Sequence, residues 1–214
     1  MKIVQHRIND VNELKTIEQD IGCEIDIRSD IEGLYLMHDP PYYSDNSFNR
    51  VSLEEWLGKF NDRGLLILNV KEEGLHQEIK RLIKKYRVSE YFILDESFPY
   101  IFKNYSKDGL DYALRVSEFE SVNTVIKFNS YLQEHSKISC WCWIDTFTLE
   151  PLPVREYKRL TDLGIKICIV SPELQMERFS LQEKYEKLSF FKNFFKENKI
   201  SIDAVCTKFV DDWR

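Results

Sequence analysis

Apolar and polar positions along this chain follow two rhythms that take turns from one end to the other. Short runs rich in Ile, Val, Leu and aromatic residues occupy Lys2–His6, Cys23–Arg28, Leu65–Lys71, Tyr91–Asp95, Asp111–Val116, Ile138–Ile144, Lys166–Val170 and Ile202–Thr207. Branched and aromatic side chains fit a pleated, buried surface, so these runs predict strands. Between them, apolar residues recur at helical spacing in Val11–Ile21, Leu53–Phe60, Leu75–Tyr86, Val122–Leu132 and Arg155–Leu163. Ser52 with Glu55 reads as a capping box, and Gly22, Gly109 and Gly164 fit helix stops. A longer stretch, Leu181 to Asn198, brings Tyr185, Leu188, Phe191 and Phe195 onto one helical face.

Strands alternating with helices predict a parallel sheet, and eight is the number that closes a TIM-type (β/α)8 barrel. A doubly wound open sheet is the alternative, but no Gly-rich dinucleotide or phosphate loop comes after any strand. Without repeats, low-complexity tracts or linker-like boundaries, residues 1–214 read as one domain.

The second strand departs from a plain buried pattern. Cys23, Ile25 and Ile27 alternate with Glu24, Asp26 and Arg28. If the apolar face meets the helices, the charged side chains point into the barrel, where they need partners or an ion. A salt-bridged edge strand with one solvated face is the bland alternative. Other strands also end in polar groups: His6-Arg7, Asn69 with Lys71, Asp95-Glu96, Arg115 with Ser117, Asp145, Ser171 with Glu173, and Thr207-Lys208. Barrel enzymes build their active sites at that end of the strands.

Composition narrows the function classes. A net charge of −6 offers no basic stripe for nucleic acid. Apolar runs such as Leu65 to Leu68 are too short to cross a bilayer. The N-terminus enters a strand without an apolar leader, so a cytoplasmic location is expected. The five cysteines, Cys23, Cys140, Cys142, Cys168 and Cys206, lack zinc-ribbon or redox spacing and read as small buried hydrophobes. His76 and His135, near helix ends, read as surface or helix-dipole residues. The oligomeric state is not legible.

In order, Gln5-His6-Arg7, Glu24-Ile25-Asp26 and Met37-His38-Asp39 resemble the opening signature of glycerophosphodiester phosphodiesterases. Asn69-Val70-Lys71 stands where that family usually carries Glu-x-Lys, and Trp143 and Asp203 to Thr207 resemble its late motifs more weakly. The resemblance implies a barrel that cleaves a small phosphodiester: a glycerophosphodiester, a polyol phosphate diester or a lysophospholipid headgroup. It implies His6 and His38 as the acid–base pair, and Arg7 and Lys71 as groups that neutralise phosphate oxygens. Glu24, Asp26 and Asn69 would hold a divalent cation, Mg or Ca. Arg28, Arg115, Trp143 and Lys208 complete the candidate set as substrate-binding residues.

The chain departs from the family pattern in three places. Asn69 replaces a third acidic ligand, which weakens a metal site; Glu72, Glu73 or Asp95 are the candidates to replace the charge. Ile8 comes after His6-Arg7 where the family has Gly, and the segment after His38 is short, leaving Tyr42, Tyr43 and Phe48 as a candidate lip. Two other readings stay open: a histidine-pair barrel in which Arg or Lys replaces the metal, and a barrel that has lost catalysis and binds a phosphorylated ligand or a partner.

Overall fold

The computed structural model describes residues 1–40, 50–135 and 140–214. The expected Tyr42, Tyr43 and Phe48 lip, and residues 138–139 of the sixth predicted strand, lie outside the described residues. The fold is a TIM-type (β/α)8 barrel of parallel strands alternating with helices. The chain divides into two compact units, Val4–Tyr112 and Ala113–Arg214, the latter joined by Met1–Ile3.

The first unit runs from the second half of β1 (Lys2–Gln5) through α1 (Val11–Thr16), β2 (Gly22–Asp30), β3 (Gly33–Leu36), α2 (Leu53–Phe60), β4 (Leu66–Val70), α3 (His76–Tyr86), β5 (Tyr91–Leu94) and α4 (Phe98–Asp108). Its parallel strands lie in the order β5-β4-β2-β1, and β3 folds back antiparallel on the end of β2. β2 and β4 are buried on both faces, as a central parallel strand should be. Their register sets Asp26 beside Asn69 and Glu24 beside Ile67.

Three expectations are corrected in this unit. α1 stops at Thr16 instead of continuing to Ile21. The buried Arg63 guanidinium donates to the Leu14 and Ile17 carbonyls at 2.9 and 2.7 Å, satisfying groups that another helical turn would have used. Gly22 is not a helix stop: it begins β2, and a Cβ there would lie 2.2 Å from the Leu65 carbonyl oxygen. It is a close-approach glycine. His76 is not a surface residue but is buried, with its Nδ1 against the Tyr100 hydroxyl. The helix α4, absent from the periodicity reading, starts on Ser97-Phe98-Pro99 and ends on Gly109 at φ 63°. The expected stop at Gly109 is therefore present.

The second unit runs β6 (Ala113–Val116), α5 (Val122–His135), β7 (Trp141–Ile144), α6 (Val154–Asp162), β8 (Lys166–Val170), a 3-10 turn (Pro172–Gln175), α7 (Leu181–Glu197), β9 (Ala204–Thr207) and α8 (Val210–Trp213). Its strands are parallel in the order β9-β8-β7-β6. Leu188, Phe191 and Phe195 of α7 are buried as expected, whereas Tyr185 stays largely exposed and stacks on Phe209. His135 is exposed at the end of α5. All five cysteines are free and buried, and burial pushes the Cys23 and Cys140 thiols up to about 12. No helix among the described residues is long and apolar enough to cross a membrane.

Candidate active site

The site assembles in the first unit, just past the end of β1, within β2 and at the end of β4. Strand alternation sends Glu24 and Asp26 to the face opposite Cys23, Ile25 and Ile27. Both carboxylates are 1% exposed, so every oxygen needs a partner. The chain supplies them from two separate segments.

The first segment is the turn after β1. Arg7 adopts φ 60°, an unusual conformation for a residue with a side chain. There its N–H donates to Glu24 Oε2 at 2.8 Å, and the next N–H, of Ile8, donates to the Glu24 carbonyl at 2.8 Å. The glycine-like conformation thus falls on Arg7, and Ile8 buries its side chain instead. His6 places Nε2 3.8 Å from Glu24 Oε2, within ion-pair range when the imidazole is protonated. The Arg7 Nε lies 3.7 Å from Asp26 Oδ2.

Asn9, from the same turn, clamps Asp26 at two points. Its Nδ2 donates to Asp26 Oδ2 at 2.8 Å, and its Oδ1 accepts from the Asp26 N–H at 2.9 Å. Sequence reasoning passed over Asn9; its place three residues after His6, in a turn leaving a strand end, was the available signal. The second segment is the end of β4 with Lys71 just beyond it. Asn69 Nδ2 donates to Glu24 Oε1 at 3.0 Å, and the Lys71 ammonium pairs with Asp26 Oδ1 at 2.9 Å.

Burial, reinforced by the neighbouring Asp26 charge, pushes the Glu24 carboxyl up to about 7. The hydrogen bond from Asn69, the Lys71 charge and the Arg7 N–H oppose that rise.

His38 lies just past β3 and is held through the backbone. The Met37 N–H donates to the Asp26 carbonyl at 3.0 Å, and Arg28 Nη2 donates to the His38 carbonyl at 2.8 Å. Arg28, a candidate substrate residue, is thus anchored to the His38 segment. The His38 Nδ1 lies 2.7 Å from Asp39 Oδ1, a pairing that lowers the Asp39 pKa. A carboxylate on one ring nitrogen fixes the tautomer and leaves the other for proton transfer.

The remaining candidates belong to the second unit. Arg115 pairs with the buried Asp145, which also accepts from Gln175 Nε2 at 2.7 Å. Trp143 is buried within β7, and Lys208 has an exposed side chain just past β9. The geometry therefore gathers His6, Arg7, Glu24, Asp26, Asn69 and Lys71 into one cluster, with His38 tied to the same strand.

The contacts of this donor set decide whether it suits a divalent ion. Each oxygen of Glu24 and Asp26 already faces a nitrogen, and Asn69 turns its NH2 group to Glu24. No group of three His, Cys, Asp or Glu side chains among the described residues is arranged to hold a metal. Asn69 Oδ1 and Asp26 Oδ1, both buried without a hydrogen-bond partner among the described residues, are the features that favour an ion. Two oxygens, one of them already ion-paired with Lys71, are a poor match for a hard dication, which takes six or so oxygen ligands. The arrangement does not fit one.

No protein-family model matches the chain, and no curated protein matches it. Solved structures do. A glycerophosphoryl diester phosphodiesterase from Parabacteroides distasonis aligns with 99% of this chain and 84% of its own, at 14% identity and a TM-score of 0.65. A glycerophosphodiester phosphodiesterase from Thermotoga maritima aligns with 99% of this chain and 96% of its own, at 15% identity and a TM-score of 0.66. At such identity the likeness establishes the fold.

Proposed function

We propose that this chain is a phosphoric diester hydrolase acting on a glycerophosphodiester or a related polyol or lipid-headgroup diester. The observation that carries the reading is the cluster itself. A buried carboxylate pair, two basic side chains and His6 converge where this barrel class does its chemistry. The resemblance of the His-Arg, Glu-x-Asp and His-Asp motifs, and the fold shared with two phosphodiesterases, point the same way.

In this reading a hydroxyl of the substrate, next to the ester, attacks phosphorus. One histidine of the His6–His38 pair takes the hydroxyl proton as the new P–O bond forms. The bond to the departing alcohol breaks, and the other histidine gives that oxygen a proton. Water then opens the cyclic phosphate with the two roles exchanged. Lys71, ion-paired with Asp26, and Arg7 neutralise the phosphate oxygens. Glu24 and Asp26 orient these groups.

The test is turnover of two glycerophosphodiesters, glycerophosphocholine and glycerophosphoethanolamine, by wild type, His6→Ala and His38→Ala. Wild-type turnover that either substitution abolishes, with unchanged melting, is the expected result. Absence of turnover on both substrates, with or without Mg, Ca or Mn, would overturn the hydrolase reading in favour of a phosphorylated-ligand binder.

A further inference from the structure

The proposed reaction needs positive charge beside the phosphate. A divalent ion or basic side chains can supply it, and charge counting around Glu24 and Asp26 separates the two. With both carboxylates ionised and His6 neutral, the Lys71 ammonium and the Arg7 guanidinium, both beside Asp26, bring the cluster to zero net charge. A divalent ion added to it would leave two uncompensated positive charges beside carboxylates that are almost fully buried. A carboxylate at position 69 would offset part of that charge, and an amide offsets none. Turning the amide over would bring Oδ1 against the Glu24 carboxylate.

Glu72 and Glu73 do not repair the deficit. Glu72 accepts from the Ser29 N–H, and Glu73 takes the Ser97 hydroxyl. Both are turned to other partners.

We propose that Lys71 and Arg7 are the resident cations of this centre in place of a divalent metal, and that Asn69 is the residue that decides the choice. The inference rests on the hydrolase reading for its catalytic meaning, but its charge argument stands on the cluster alone. Asn69 acts as a positioning residue. It donates to Glu24 without adding the negative charge that would draw a dication into competition with Lys71.

The experiment has two independent readouts on the intact protein. Calorimetric titration and thermal melting with Mg, Ca and Mn report binding, and turnover of glycerophosphocholine before and after excess EDTA reports catalysis. The expected result is no saturable binding, no melting shift, and turnover that EDTA changes by less than about twofold. Asn69→Glu and Asn69→Asp should each gain saturable divalent binding and a melting shift. Saturable binding to wild type that Glu24→Gln removes would overturn the inference. So would turnover that EDTA abolishes and added metal restores, which would leave the hydrolase reading intact. If no condition gives turnover, the hydrolase reading fails and the binding measurements still decide this inference.

Discussion

Glu24, within β2, and Glu173, just beyond β8, are both buried glutamates, and the protein surrounds them differently. Glu173 is surrounded by neutral donors. It takes the hydroxyls of Ser171 and Thr207 and, at 3.0 Å, the Lys208 N–H. Trp213 then donates its indole N–H to Ser171 Oγ at 2.8 Å, which fastens α8 to the same knot. Glu24 also takes neutral donors, the Arg7 N–H and the Asn69 amide, but it lies beside His6 and beside Asp26, whose partners Lys71 and Arg7 carry charge, on a turn held at φ 60°. Neutral donors close a site. Charged partners with histidine beside them leave one that can exchange protons and hold an anion, at the cost of backbone strain.

The sharpest break of this comparison is the histidines. General acid–base groups typically contribute about 100- to 10,000-fold, so His38→Ala and His6→Ala should each lower diester turnover by that order. Circular dichroism melts should not move. A melt that drops while turnover per folded molecule holds would make these residues structural.

Lys71→Met should come next. It leaves Asp26 charged and buried without its ammonium partner, a change that destabilises by about 3–5 kcal/mol in comparable pairs. Urea unfolding measures the loss, and Lys71→Arg should recover part of it. A near-neutral result would mean that Asp26 is adequately held by Asn9 and Arg7 alone.

Glu24 gives the comparison a pH signature. Its folded carboxyl, pushed up to about 7 from 4.5, holds its proton more tightly than the unfolded chain does. Its contribution is therefore fully present below about pH 4.5, declines as pH rises, and is lost above about pH 7. The loss is on the order of 3 kcal/mol. Glu24→Gln removes this dependence, so its melting temperature should gain on wild type between pH 5 and 8 by an amount absent near pH 4. A constant offset across that range would show that Glu24 is ionised throughout.

Glu173→Ala should have the smallest effect of the four. It strands two hydroxyls and one backbone N–H, and each buried group left unmatched costs about 1 kcal/mol or more when water cannot reach it. A stability loss of about 2–3 kcal/mol by urea unfolding is expected. If turnover falls while stability holds, Glu173 belongs with the catalytic groups and the contrast with Glu24 dissolves.

The sequence by itself determined the alternation of strands and helices, the stations of the eight predicted strands, and the charged side of β2. These are local properties: two- and 3.6-residue periods arise from backbone geometry and can be read wherever they occur. The motif order His-Arg, Glu-x-Asp, His-Asp was legible for the same reason. Tertiary structure alone decided the partners. Asp26 meets Asn9 and Lys71, and Glu24 meets Arg7 and Asn69, across separations that periodicity does not encode. It also decided that Arg63 ends α1, that Gly22 serves a close backbone approach, and that His76 is buried against Tyr100. Strand register and the reach of long side chains fix such pairings, so residue types at a strand end can announce a charged site, while only the fold says which charges cancel.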